Sequence, residues 1–342
     1  MGTKISSYDI QTAAENLAGV LEHAIEHTGD QAALVVWDAD SELSTALADA
    51  YRICLPAAKF MQFETTEVEL VKAEFEGMKP KDLVVLIEST RFRLHAFRIR
   101  LELFKRSLKV IEHPHLERMS GDEARTYFDS LAYDRDYFHG VGHALRNLID
   151  GAQLGMVDSG KDHRLIFPAE FEEAKLNIGD YTGMKNIGGQ FPIGEVFTES
   201  RDLSAVHGEV RISFFGDLDF TVNRPKIPIT LVVEKGRVVN TCHSTPEFDG
   251  VLEKIRADDG EVWLRELGFG INRAFTQEKT VSDIGTFERM CGVHLSLGSK
   301  HTTYNKANIR KKSARHHVDV FVLTNSVELD GERIFEDGAW RV

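Results

Sequence analysis

Short apolar runs alternate with longer helical patterns in the first part of the chain, and this alternation limits the fold more than any other feature. Residues 32–38 (AALVVWD), 57–63 (AAKFMQF) and 82–89 (DLVVLIES) predict strands, and a helical pattern from Ser41 to about Ile53 separates the first two. A second helical pattern spans residues 91–106. Strands and helices that alternate in this way form an open parallel sheet with crossover helices. No GxGxxG motif follows any of these strands, so the sequence disfavours a nicotinamide-dependent enzyme.

Glycine-punctuated apolar runs replace this pattern after about Asp150. The segments EVRISFFG (209–216) and ITLVVEKGRVVNT (229–241) predict strands, and Gly236 is free to take a positive φ in the turn inside the second segment. We therefore predict an α/β protein of two domains. An N-terminal parallel-sheet α/β domain would occupy residues 1–150, and a β-rich α+β domain would occupy residues 151–342.

Charge and hydropathy restrict the expected partners. The 342 residues carry a formal net charge of -13, which would repel a polyanion, so nucleic acid is not an expected partner. The first residues lack a basic stretch followed by an apolar one, and no apolar run approaches the ~20 residues that span a bilayer. Three widely spaced cysteines show neither CxxC spacing nor a disulfide-rich pattern. We expect a cytoplasmic protein without a membrane partner.

Five ionisable residues lie in apolar segments of the second half. His317 and Asp319 stand two apart in HHVDVFVL, so a strand would point both side chains to one face, which suits chelation of a metal ion. Glu195, Glu266 and His294 stand in three other segments that can also be buried. Burying unpaired carboxylates costs several kcal/mol, so the set makes physical sense mainly if cations neutralise it. Three acids and two histidines suit two divalent ions that share one carboxylate, with Zn, Mn or Co well matched.

Each of these residues has a plainer explanation when it is taken alone. His317 and Asp319 could form a buried ion pair in a sheet. Glu195 and Glu266 could be carboxylates at strand ends that face solvent, and His294 could be a core histidine with satisfied hydrogen bonds. The metal hypothesis therefore depends on all five residues meeting at one place.

The order of these segments resembles that of the thermophilic metallo-aminopeptidase family, which includes the two-metal leucyl aminopeptidases of bacteria. The likeness runs from about Gly151 to Val342 and rests on GGQFPIGEVFTES, LVVEKGRVVNT, ELGFGIN, ERMCGVHLSLG, HVDVFV and VELDGERIFEDGAW. A single HxD or EVF motif is common by chance, whereas the shared order and comparable intervals are specific.

The resemblance implies a centre of two divalent metal ions, which would be Zn, Co or Mn. Glu195, Glu266 and His294 would hold one ion, and His317 and Asp319 would hold the other, with a glutamate bridging the two. The implied activity is that of a metallo-aminopeptidase, a hydrolase that removes N-terminal residues from short peptides with a metal-activated water. The resemblance also suggests a homodimer.

The sequence departs from the family at a tyrosine that stabilises the tetrahedral intermediate. In HLSLGSKHTTY, His301 lies near that place and Tyr304 follows slightly later, and either side chain could donate a hydrogen bond to an oxyanion. Residues 306–315 (KANIRKKSAR) form a basic run that could steer acidic substrates. The general base is left open, with Glu199 as one candidate.

Two alternatives to the peptidase stay open. The scaffold is also similar to that of 2,5-dihydroxypyridine dioxygenase, a ring-cleaving enzyme in which two histidines and one carboxylate hold a single iron(II). For this chain to be such a dioxygenase, it would need a histidine near the position of Glu266. A third hypothesis is that the protein resembles the family in fold but has altered catalysis and binds a peptide-like biosynthetic intermediate.

Overall fold

The computed structural model describes residues 4–92, 99–307, 309 and 314–342. The chain divides into two compact units. The first comprises Met1–Phe138 and Gly179–Ile193, and the second comprises His139–Ile178 and Gly194–Val342. The predicted boundary near Asp150 falls in the last turn of a helix that begins at Arg135.

Helices and strands are numbered here in chain order. The helices are α1 (Ser7–Gly19), α2 (Glu42–Cys54), α3 (Val68–Gly77), α4 (Ile99–Lys105), α5 (Asp122–Ser130), α6 (Arg135–Gly151), α7 (Pro246–Asp259) and α8 (Ile284–Phe287). The first ten strands are β1 (Ala33–Trp37), β2 (Lys59–Gln62), β3 (Leu83–Ile87), β4 (Lys109–His113), β5 (Gly155–Asp158), β6 (Arg164–Phe167), β7 (Lys175–Asn177), β8 (Gly188–Gln190), β9 (Glu195–Thr198) and β10 (His207–Gly216). The remaining strands are β11 (Val222–Asn223), β12 (Ile229–Glu234), β13 (Arg237–Cys242), β14 (Leu264–Gly270), β15 (Gly292–Leu297), β16 (Val318–Val322), β17 (Ser326–Leu329), β18 (Glu332–Glu336) and β19 (Ala339–Trp340).

A parallel sheet of five strands forms the centre of the first unit. Its order is β2-β1-β3-β4-β8, and every pairing is parallel. Alternate apolar residues of the inner strands share one buried face, because successive side chains of a strand point to opposite sides; the cluster includes Leu34, Val36, Val84, Leu86 and Val110. The parallel sheet predicted from the alternating pattern is confirmed.

Two predicted helices of this unit can be compared with the structure. Ser41 is the N-cap of α2, where its side chain accepts a hydrogen bond from the main-chain N–H of Ser44, so the predicted helix start is confirmed. The pattern at residues 91–106 contains α4, which begins at Ile99. Residues 93–98 of that pattern lie outside the described residues.

The second unit is built on a fourteen-stranded sheet. Along its main path the order is β19-β18-β17-β5-β6-β10-β16-β15-β14-β9-β7, and β11, β12 and β13 join it through β10. Neighbouring strands along this path run antiparallel. Gly236 has a φ of 72° in the turn between β12 and β13, as the strand-turn-strand prediction required. The α/β class with a β-rich second half is therefore confirmed. None of the helices in the described residues is both long and apolar enough to cross a membrane.

A buried imidazole links three segments of the first unit. His113, at the end of β4, has no exposed surface, and its Nε2 and Nδ1 atoms each lie 2.8 Å from a tyrosine hydroxyl, those of Tyr51 and Tyr127. Tyr127 donates its own proton to the carbonyl of Phe191 at 3.1 Å, so His113 Nδ1 donates to Tyr127 and Nε2 accepts from Tyr51. Burial lowers the pKa of His113 to about 3, which keeps this ring neutral.

Replacing Tyr51 with phenylalanine would leave the Nε2 lone pair of His113 buried without its donor. We expect Tyr51→Phe to lower the free energy of unfolding by about 1–3 kcal/mol, since an unsatisfied buried acceptor costs that much. Urea denaturation followed by circular dichroism measures the change. Tyr8→Phe is the matched control, because Tyr8 is 78% exposed and should shift stability by no more than about 0.5 kcal/mol. Equal stability of the two variants would contradict the assigned hydrogen-bond direction.

Candidate metal centre

Four neighbouring strands carry the ionisable residues that the sequence singled out. The strands β16, β15, β14 and β9 are consecutive in the sheet of the second unit. Glu195 opens β9, Glu266 lies in β14, His294 lies in β15, Asp319 lies in β16 and His317 directly precedes β16. The antiparallel register sets His294 opposite Gly268 and Phe321, and Asp319 opposite Ser296. Residues that are far apart in sequence are therefore brought together by strand pairing.

These five side chains form two donor groups that share one member. Glu195, Glu266 and His294 each offer a ligand atom, and these atoms lie within 4.8 Å of one another. Glu266, His317 and Asp319 form a second group by the same measure. Glu266 is therefore the residue that the two groups share.

Several donor atoms of the two groups lie close together but form no hydrogen bonds with one another. His294 Nε2 lies 3.2 Å from Glu195 Oε1 and 3.4 Å from Glu266 Oε1, and His317 Nε2 lies 3.1 Å from Asp319 Oδ1. Yet His294 Nε2 and Asp319 Oδ1 are buried and have no hydrogen-bond partner among the described residues. Buried polar atoms are almost always paired, so atoms that converge in this way fit a bound cation. The residues present thus suit divalent metal ions.

Excess negative charge dominates the electrostatics of the centre. Burial alone would lower the pKa of His294, but the carboxylates of Glu195 and Glu266 raise that pKa well above its usual value. Burial likewise opposes the charged form of His317, but Asp319 raises the pKa of His317 to about 10. Burial would raise the pKa of Glu266, whereas the nearby imidazoles hold that pKa below its usual range. The centre favours positive charge, whether it is a proton or a metal ion.

A main-chain carbonyl fixes the orientation of His317, one of the candidate ligands. His317 Nδ1 lies 3.1 Å from the carbonyl oxygen of Lys300, and a carbonyl can only accept a hydrogen bond. In the neutral ring, Nδ1 therefore carries the proton and the lone pair of Nε2 faces Asp319. This is the tautomer that binds metal, held by the kind of outer contact that metal-ligating histidines commonly have.

A glycine makes room for the other histidine. A Cβ atom at Gly268 would lie 2.1 Å from both Cε1 and Nε2 of His294, so the imidazole lies directly over the glycine of the neighbouring strand. This gives a physical reason for the first glycine of ELGFGIN. The sequence alone could not reveal it, because the two residues are paired only by the sheet.

Glu288 and Arg289 also belong to the surroundings of the centre, and the sequence reasoning missed both. Arg289 is buried, and its Nη2 lies 3.8 Å from Glu195 Oε2, while its Nη1 donates to Glu288 Oε2 at 2.5 Å. Desolvation, followed by the charges of Asp319 and Glu195, raises the pKa of Glu288. The only available signal was an adjacent acid and base in ERMCGVH, shortly before His294.

The two candidate hydrogen-bond donors differ in where they lie. The side chain of His301 is buried, and its Nε2 lies 2.9 Å from Glu266 Oε2, inside the centre. The hydroxyl of Tyr304 donates to the carbonyl of Glu173 at 2.7 Å and lies 3.3 Å from that of Phe197. The proton of Tyr304 is thus engaged by the main chain, and only His301 contacts a residue of the two donor groups through its side chain.

Glu199, the candidate general base, does not have the surroundings of a base. It is fully buried and forms an ion pair with Arg265, and Lys306 Nζ lies 3.5 Å from its other oxygen. Its two oxygens thus face cations of the surrounding segments. Arg265 also donates to the carbonyls of Ser299 and Tyr304, which fastens the segment that carries His301. Half of the basic run at 306–315, residues 308 and 310–313, lies outside the described residues.

Comparison with known proteins found likeness in structure only. No protein-family model and no curated protein matches the chain. A 2,5-dihydroxypyridine dioxygenase from Pseudomonas putida KT2440 is similar with a TM-score of 0.62 and 14% identity, over 98% of each chain. AmpT from Thermus thermophilus, an aminopeptidase, is similar with a TM-score of 0.58 and 14% identity, over 97% of this chain and 99% of that one. The chain therefore shares the fold of two enzymes with different activities along nearly its whole length.

Proposed function

We propose that this protein is a metallo-aminopeptidase that hydrolyses N-terminal residues of short peptides at a centre of two divalent ions. The observation that carries the proposal is the position of Glu266 in both donor groups. Two cations held a few ångströms apart by a shared carboxylate suit the hydrolysis of acyl bonds. The structural likeness to AmpT supports the same assignment at the level of the fold.

The donor set favours particular metals. Glu195, Glu266 and His294 would hold one ion, and Glu266, His317 and Asp319 would hold the other. Each group supplies two carboxylates and one imidazole, and none of the five ligands is a thiolate. Such a set fits Zn, Mn or Co better than a metal that prefers sulfur.

The chain's own groups would hold and orient the reactants. Bound divalent ions would supply a water of lowered pKa and polarise the scissile carbonyl. Arg289 restrains the carboxylate of Glu195, and the carbonyl of Lys300 restrains the ring of His317. The excess negative charge of the centre would attract the ammonium group of a peptide's free amino end.

A ring-cleaving dioxygenase is the second candidate, and the likeness to 2,5-dihydroxypyridine dioxygenase favours it. That chemistry uses one iron(II) held by two histidines and one carboxylate. Neither donor group has this composition, since each contains one histidine and two carboxylates. The ligand set therefore supports the hydrolase over the dioxygenase.

Metal content distinguishes a shared ligand from an unshared one. We expect two ions per chain in protein purified without chelators, about one ion in Asp319→Ala, and loss of both in Glu266→Ala, because only Glu266 belongs to both groups. Inductively coupled plasma mass spectrometry measures the ratio, and circular dichroism checks that each variant folds. Glu253→Ala, an exposed change on α7, is the control and should keep both ions. Wild-type protein with a single tightly held ion would contradict the two-ion centre.

Turnover separates the two candidate reactions. We expect release of nitroaniline from aminoacyl nitroanilides after addition of Zn, Mn or Co, and loss of at least about 100-fold in kcat/KM when His317 is replaced with alanine, since a ligand of the activating ion is removed. Absorbance reports hydrolysis, and an oxygen electrode reports dioxygenase activity with a dihydroxypyridine and ferrous ion. Ferrous-dependent oxygen uptake without hydrolysis would replace the proposal with the second candidate.

The glycine beneath His294 offers a test that removes no ligand. In Gly268→Ala the new methyl group would displace the imidazole, so we expect weaker binding of the ion held by Glu195 and His294, by at least about 10-fold. Competition with a chromophoric chelator measures the affinity. Gly250→Ala is the matched control, since nothing lies within 4 Å of the added Cβ and the change is on helix α7. If both variants bind both ions like wild type, His294 does not hold an ion.

A further inference from the structure

His301 lies in the segment that follows β15 and is buried against the centre. Its side chain is 3% exposed, and its Nε2 lies 2.9 Å from Glu266 Oε2. The ring also neighbours those of Tyr304 and His317, with centroid distances of 5.0 Å and 5.8 Å. A histidine at this distance from a shared carboxylate could be either an additional ligand or a hydrogen-bond donor.

Main-chain contacts decide between these roles. His301 Nδ1 accepts hydrogen bonds from the N–H groups of Thr303, at 3.2 Å, and Tyr304, at 3.3 Å. Nδ1 therefore holds a lone pair, and the proton of the neutral ring is on Nε2. Nε2 of His301 cannot bind a metal ion while it carries that proton. His301 and His317 therefore have opposite tautomers, since Nδ1 carries the proton in His317.

The N–H of His301 has no acceptor within the described part of the chain. Although Nε2 is close to Glu266 Oε2, the contact does not have hydrogen-bond geometry, and Nε2 is buried without a partner. A buried N–H without an acceptor costs free energy. Preorganised hydrogen-bond donors of this kind commonly stabilise the negative charge that develops on an oxygen in a transition state.

We propose that His301 is a fixed N–H donor that binds the oxygen on which negative charge develops when the acyl carbon of the substrate is attacked. The assignment rests on the proposed hydrolase, and it gives His301 the catalytic role and Tyr304 a positioning role. Tyr304 holds Nδ1 through its main-chain N–H while its hydroxyl is anchored on Glu173. Arg265 fastens the same segment through the carbonyls of Ser299 and Tyr304.

Two substitutions test the donor. His301→Phe removes the N–H and keeps a ring, whereas His301→Gln can present an amide N–H at a similar reach. We expect both variants to keep two ions per chain, and we expect kcat to fall about 100- to 1,000-fold in His301→Phe with little change in KM, but by clearly less in His301→Gln. His207→Phe, an exposed change at the start of β10, is the control and should match wild type. Loss of an ion in His301→Phe would make the residue a ligand and overturn the proposal, as would an unchanged kcat.

The tautomer of His301 can also be measured without turnover, in protein loaded with zinc. Nitrogen-15 spectra of histidine-labelled protein should show the neutral Nε2–H tautomer for His301, assigned by its absence in His301→Phe. An α-aminophosphonate, whose tetrahedral anion resembles the attacked acyl group, should shift that proton and should bind at least about 10-fold more weakly to His301→Phe. An Nδ1–H tautomer, or equal binding by both proteins, would overturn the role of His301. A wild-type protein that binds the phosphonate through His301 but hydrolyses no peptide would overturn the proposed function instead.

Discussion

Repulsion among buried carboxylates is the constraint on which the centre of this protein depends. Glu195, Glu266 and Asp319 are at least nine-tenths buried, and two of them share each donor group. Uncompensated, such burial costs several kcal/mol per charge. Among the described residues, the compensating groups near them are His294, His301, His317 and Arg289. The lone pairs left unpartnered there are those that two cations would use, so stability and chemistry would depend on the same ions.

Much of this arrangement could be predicted because it follows from local periodicity. Strand geometry puts His317 and Asp319 on one face when they stand two apart, and the alternation of apolar runs and helices predicted the parallel sheet. The strand β8 could not be predicted in the same way. It consists of Gly188–Gln190, without an apolar pattern, and it pairs with β4 because a glycine lets the main chain approach: a Cβ at Gly188 would lie 1.9 Å from the carbonyl oxygen of Val110.

The parts of the centre that the sequence could not supply all arise from nonlocal pairing. The sequence left His301 and Tyr304 as equal candidates, since both follow β15 closely. They differ in the direction in which their side chains point. The carbonyl of Glu173, which accepts a hydrogen bond from the hydroxyl of Tyr304, is 131 residues away in sequence. Glu199 looked available in EVFTES, yet Arg265 on a neighbouring strand neutralises it. Partners of this kind are set by sheet register, which apolar patterning does not specify between strands so distant in sequence.

One short segment prepares two histidines for opposite tasks. The carbonyl of Lys300 accepts a hydrogen bond from Nδ1 of His317 and leaves a lone pair on Nε2, whereas the N–H groups of Thr303 and Tyr304 donate to Nδ1 of His301 and leave Nε2 as a donor. Both tautomers therefore depend on the same stretch of main chain, which Arg265 fastens to β14. A shift of this segment would disturb both rings together. The buried Glu199–Arg265 ion pair, which holds Arg265 in place, therefore contributes to the orientation of both histidines.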